Sequence, residues 1–175
     1  MDILLIEPYF TGSHARWAEG YKKASAHNVE ILSMAGRHWK WRMHGGAVTL
    51  ARRYLARNLK PSLILATDML DLTTFLSLTR QRTAGVPAAL YFHENQLTYP
   101  WGPLDRDAVV GRDQHYGFIN YASALAADRV FFNSRFHMES LLGALEVFLR
   151  SFEDKARQNL APCGEVRLGG DGPGI

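Results

Sequence analysis

The chain has 175 residues, 47% apolar and 21% charged, the balance of a globular domain and not of a disordered or fibrous chain. A formal net charge of +3 is compatible with a phosphate-bearing partner without demanding one. Cys163 is the only cysteine, which excludes an internal disulfide and a cysteine zinc cluster and points to a reducing, cytoplasmic setting.

"MDILLIEP" at the N-terminus lacks the basic region of a signal peptide and the length of a membrane span. Its run 3–7 predicts a buried strand, followed by the turn-like "PYFTGSH" and a helix through "ARWAEGYKKASA". A second strand is predicted at 29–34. In 47–59, Val48, Leu50, Ala51, Tyr54, Leu55 and Leu59 recur at helical spacing, with Arg52, Arg53 and Arg57 opposite them and Pro61 closing the helix. Strand 62–67 is followed by the helix "LDLTTFLSLTRQ", with Asp68 as its candidate N-cap. Strand 88–92, helix 112–127, strand 129–133 and a long helix from Ser134 complete the pattern. Short, unalternating apolar strands separated by helices predict an α/β, doubly wound parallel sheet.

In that architecture ligands sit beyond the carboxyl ends of the strands. "PYFTGSH", "TDML", "HENQ" and "NSRF" therefore belong to one edge and line a shared cleft. Gly12 and Ser13 offer backbone amides for an anion or sugar where a helix begins, though Ser13 and Ser134 can equally serve as plain N-caps. "TGSH" is not a GxGxxG fingerprint, which argues against a nicotinamide cofactor. "HENQ" ends a buried strand with four polar side chains, and His93 and Glu94 suit hydrogen bonding to hydroxyls. No HExxH or comparable ligand spacing is present, so no metal is expected. In "GRHWKWRMHGG" (36–46), Trp39 and Trp41 alternate with Arg37, Lys40 and Arg42. As a loop this suits stacking on bases with cations on phosphates; the alternative is a strand extension with its tryptophans packed inward.

"EPYFTGSH", "RHWKWR", "DMLDLTTF", "YFHENQLTYP" and "RDQHYGFINYASALAADRVFFNSRFHMESLL" together resemble the tRNA-queuosine alpha-mannosyltransferases, in order over residues 1–150. The resemblance implies a Rossmann-like domain, the N-terminal, acceptor-side half of a retaining GT-B glycosyltransferase. Such an enzyme transfers mannose from GDP-mannose to the cyclopentenediol of queuosine in tRNA, with no metal or other cofactor. It implies Gly12, Ser13 and His14 beside the donor diphosphate and acceptor, and His93 against the donor hexose. Glu94, Asn95 and Gln96 would line the acceptor side, and Asn133 and Ser134 the cleft floor.

The sequence departs from the family after Arg150, where "LAPCGEVRLGGDGPGI" turns glycine-rich. Residues 151–175 are thus expected as a helix end and tail in place of a nucleotide-binding domain, and the chain alone is expected to be inactive. The alternatives are a non-catalytic module holding tRNA or sugar, and a small hydrolase using His93 and Glu94, which lacks a GxSxG elbow. A homodimer through the exposed domain face is a further expectation.

Overall fold

The computed structural model describes residues 1–102, 104–109, 114–150 and 167–168. Six parallel strands run in the order β2-β1-β3-β4-β5-β6: β1 (Asp2–Phe10), β2 (Asn28–Ala35), β3 (Leu63–Thr67), β4 (Ala88–Phe92), β5 (Arg129–Phe132) and the two-residue β6 (Arg167–Leu168). Between them come α1 (Gly12–Ala24), α2 (Trp39–Leu55), α3 (Leu72–Thr83), the short α4 (Arg106–Val109) and α5 (Gln114–Ala126), and α6 (Arg135–Leu149) follows β5. The doubly wound α/β sheet expected from the strand–helix alternation is the fold observed, and it is Rossmann-like. Apart from β6, the expected tail 151–175 lies outside the described residues.

Both faces of the sheet are covered, which is why its strands are continuously apolar. Successive side chains of a strand point to opposite faces. Leu4 and Ile6 of β1 join one core with Leu50 and Tyr54 of α2, Phe75 of α3 and Leu141 and Leu145 of α6. Ile3 and Leu5 join the other, with Ala18, Trp17 and Tyr21 of α1. Adjacent β1 and β3 carry the chain in opposite directions across the sheet, because β1 continues to β2 on one side and β3 to β4 on the other. The crevice beyond their carboxyl ends is the switch point where ligands of such folds bind.

Several boundaries differ from the sequence expectation. β1 runs through "PYF", and α1 begins at Gly12 with Thr11 as N-cap, so Ser13 lies within the first turn and is not the cap. Gly12 has φ +53, a left-handed conformation that costs a residue with a Cβ. α3 is capped by Asp71, whose Oδ1 accepts from the Thr74 N–H at 2.9 Å. Asp68, the expected cap, is fully buried instead. Residues 39–46 are neither a loop nor a strand extension, because they open α2. Leu50, Ala51 and Tyr54 are buried as the helical spacing requires, whereas Val48 and Leu55 are exposed. Among the described residues no helix is long and apolar enough to cross a membrane.

Two glycines test how helix packing positions the ligand edge. A Cβ on Gly117 of α5 would run into the Leu97 side chain in the loop after β4, whereas one on Gly45 of α2 meets nothing within 4 Å. Gly117→Ala is expected to lose about 1–3 kcal/mol by overpacking. Gly45→Ala is expected to gain up to about 1 kcal/mol of helix propensity. Urea denaturation of both variants checks the pair of opposite signs.

Candidate functional site

At the switch point the chain buries two carboxyl groups. Glu7 and Asp68 are both fully buried, near the carboxyl ends of β1 and β3. Buried carboxylates need hydrogen-bonded partners, and these partners build the site. Glu7 Oε1 accepts from the Tyr9 N–H at 2.8 Å, while Oε2 accepts from His14 Nδ1 at 3.0 Å. His93 Nε2 lies 3.9 Å from the same Oε2. Asp68 Oδ1 accepts the His93 N–H at 2.8 Å, which ties the end of β4 to the end of β3. Asn120 of α5 donates to the Asp68 carbonyl at 2.9 Å and accepts the Gln96 N–H at 2.8 Å, so α5 fixes both loops.

Above this buried layer is a pocket of about 210 Å³ lined by Gly12, Ser13, His14, Glu94 and Gln96 among polar groups, and by Tyr9, Trp39 and Tyr99 among aromatics. Gln96 Nε2 donates to Glu94 Oε1 at 3.3 Å, while Gln96 Oε1 is buried without a hydrogen-bond partner. The pocket thus combines flat aromatic surface with a carboxylate, an amide and an imidazole. That is the equipment for a ring bearing hydroxyl groups.

His93 does not line this pocket. Its side chain is 12% exposed and lies behind His14, with ring centroids 4.2 Å apart and the Trp17 ring edge-on at 4.8 Å. Asn95 is inward too: its Oδ1 accepts from the Leu97 and Thr98 amides and its Nδ2 donates to Thr98 Oγ1, so it shapes the loop. Ser134 caps α6 by accepting from the His137 N–H at 3.2 Å. Asn133 donates to the His93 carbonyl at 2.8 Å and accepts from His137 Nδ1 at 3.0 Å. Asn133 and Ser134 are exposed beside the β4 loop and brace it.

Burial and charge split the ionisable groups. Burial pulls the His14 imidazole down, but the Glu7 hydrogen bond and the charges of Glu7, Asp68 and Glu94 together raise it above its ordinary value. Burial and the neighbouring His14 and His137 push His93 down to about 3, so it is neutral at physiological pH. Burial pushes the Asp68 carboxyl up to about 8, against the opposing pull of His14 and the His93 N–H. Burial also raises Glu94. Displaced values of this kind concentrate at functional sites. Although no metal-ligand spacing is legible in the sequence, donor atoms of Glu7, His14 and His93 lie within 4.8 Å of one another.

The aromatic–basic stretch divides in two. Trp39 is half-buried against Trp101 and Tyr116, with centroids at 5.5 and 5.1 Å. Lys40 is not a free cation, since its Nζ sits 2.6 Å from carboxylate oxygens of both Asp105 and Asp107. Arg42 Nε donates to the Ala35 carbonyl at 3.0 Å. Trp41, 73% exposed, and Arg37, also exposed, face solvent.

The sequence, compared with known proteins, matches one family. A profile described as tRNA-queuosine alpha-mannosyltransferase N-terminal matches residues 2–163. The chain is 35% identical over 153 residues to the tRNA-queuosine alpha-mannosyltransferase of Drosophila melanogaster, an alignment covering 87% of this chain and 39% of that protein. The chain therefore spans about two fifths of the length of the curated relative it matches.

The Asp68 carboxyl supplies a test of the buried layer. Its value is raised from 3.8 to about 8 on folding, so the stability it contributes is fully present below about pH 4 and is lost as pH rises through about 8. Asp68→Asn keeps an oxygen for the His93 N–H and cannot ionise. Its stability relative to the unsubstituted protein is expected to climb steadily from about pH 4 to pH 8, measured by urea denaturation at each pH. A constant difference would contradict the burial of an ionisable Asp68.

Proposed function

Because the chain belongs to the tRNA-queuosine alpha-mannosyltransferase N-terminal family, we propose that it is the acceptor-side domain of a retaining GT-B glycosyltransferase. Joined to a nucleotide-binding domain, it would transfer mannose from GDP-mannose to the queuosine diol of tRNA in the cytoplasm; alone, it would hold acceptor without turnover. The observation that carries this reading is the pocket at the switch point, where His14, Glu94 and Gln96 converge beside Tyr9, Trp39 and Tyr99. Glu94 and Gln96 would receive the acceptor hydroxyls. His14 would stand between acceptor and donor. His93, placed against the donor hexose by the resemblance, would reach it only at the rim, because its ring is screened by His14. It supports His14 from behind. In catalysis the chain's part would be orientation: a hydroxyl fixed by Glu94 is held for attack on the anomeric carbon as the bond to GDP breaks. GDP would leave with the electron pair, and the hydroxyl proton would pass to its departing phosphate oxygen.

The tRNA itself would meet the start of α2. Trp41 and Arg37 are presented to solvent within two residues of Trp39, which belongs to the pocket wall. RNA stacked on Trp41 would therefore run along the outer side of the first turn of α2, away from the face that Trp39 turns to the pocket.

Two measurements test this reading. In a chain carrying its nucleotide-binding domain, Glu94→Gln should lower mannose transfer by about 10- to 100-fold, the value of a hydrogen bond to a charged group, with an unchanged melting temperature. An unchanged rate would remove Glu94 from the acceptor site. For RNA, Trp41→Ala should weaken tRNA binding by about 1–3 kcal/mol without loss of stability, and Arg37→Ala should reduce the salt slope by about 0.7–0.9. Trp39→Ala should instead lower the melting temperature, and equal effects of the two tryptophans would contradict the division seen in the structure.

A further inference from the structure

We infer that Glu7, His14 and His93 form a binding site for a divalent transition-metal ion of borderline softness, zinc foremost. Two imidazoles and one carboxylate are the ligand types such an ion takes, and three protein ligands leave a coordination position open. The three residues come from β1, the first turn of α1 and the end of β4, so no short motif announces them.

The geometry asks for an occupant that a proton cannot supply. A proton between His14 Nδ1 and Glu7 Oε2, 3.0 Å apart, satisfies that pair. It leaves His93 Nε2 buried with no hydrogen-bond partner, 3.9 Å from the carboxylate and beyond hydrogen-bond range. Donors on one tetrahedral zinc, each about 2.0–2.1 Å from the metal, stand roughly 3.3 Å apart. The two separations from Glu7 Oε2, 3.0 and 3.9 Å, bracket that value, and all three donors lie within 4.8 Å of one another. An ion at their centre would engage all three donors after shifts of under about 1 Å, within the movement of side-chain torsions.

The surroundings are those of a supported site. The Tyr9 N–H holds Oε1 of Glu7, leaving Oε2 for the ion. Asp68 fixes the β4 end by accepting the His93 N–H, the kind of outer support that orients ligands. The Glu94 carboxyl faces the same pocket as His14, so a further oxygen donor stands near the open side of the site. His14 lines the pocket, which gives the ion an entry path and directs the open position towards a hydroxyl or water there. Such a site does not depend on the transferase reading.

The test uses the 175-residue chain after chelator treatment and dialysis, titrated calorimetrically with zinc chloride and spectroscopically with cobalt(II). One ion per chain is expected, with tetrahedral cobalt absorption. His93→Gln and Glu7→Gln should each weaken binding by about 10-fold or more. His44→Gln should leave it unchanged, although the exposed His44 and His115 rings lie within 3.2 Å of each other and are the nearest adventitious alternative. Glu7→Gln can also cost folding, since Glu7 is buried in β1; His93→Gln removes no hydrogen bond made by Nε2 and keeps the test decisive. Absence of binding, or binding lost with His44→Gln and retained with His93→Gln, overturns the site. Transfer activity plays no part in these readouts, so failure here leaves the proposed function standing.

Discussion

Two carboxylates buried side by side in a parallel sheet set the terms for the ligand edge. Glu7 and Asp68 are fully enclosed near the ends of neighbouring strands, where an unpartnered charge costs several kcal/mol. Glu7 meets that cost with partners on both oxygens. Asp68 pairs one oxygen, leaves Oδ2 unpartnered among the described residues and keeps its proton up to about pH 8. The hydrogen bonds that both groups do make tie the strand ends together. Glu7 commits His14 and the Tyr9 amide, and Asp68 commits the His93 amide. Asn120 closes the arrangement by bridging the Asp68 carbonyl to the Gln96 amide. What lines the pocket, namely His14, Glu94 and Gln96, is held by what lies beneath it. The chain invests polar groups in the core exactly where a plain apolar sheet end would carry none, and the shape of the pocket follows from how those groups are satisfied.

Much of the frame was legible. Unalternating apolar runs separated by helical periods foretold the parallel sheet, and the family motifs fit the position of its edge. The stretch "HENQ" stood out because four polar residues follow a buried strand, and two of them, Glu94 and Gln96, do reach the pocket. Side-chain direction was not legible. His93 and Asn95 turn inward, the first behind His14 and the second into its own loop, since consecutive residues leaving a strand face opposite ways.

Glu7 was missed for a different reason. It ends the run "ILLIE", and a strand pattern reports average burial without saying that a carboxyl group within it has found partners two and seven residues further on. The signal that could have revealed it was a lone carboxylate in a strand expected to be covered on both faces. Asp68 carried a similar signal and was instead assigned to a cap, a role that Asp71, three residues on, performs. The start of α2 was misjudged because Gly45, Gly46 and alternating tryptophans weaken the helical pattern. The helix is settled by tertiary contacts: Trp39 against Trp101 and Tyr116, and Lys40 between two aspartates.

The central claim is that the pocket at the ends of β1, β3 and β4 receives the modified nucleotide while the start of α2 holds the adjoining RNA. The most direct measurement is amide and imidazole NMR of this chain titrated with an anticodon stem-loop bearing queuosine, compared with the same stem-loop bearing guanosine. The account predicts shifts at Trp41 and Arg37 with both RNAs, and shifts at His14, Glu94 and Gln96 only with the queuosine form. Identical shifts with both, or changes confined to the face covered by α3 and α6, would contradict it.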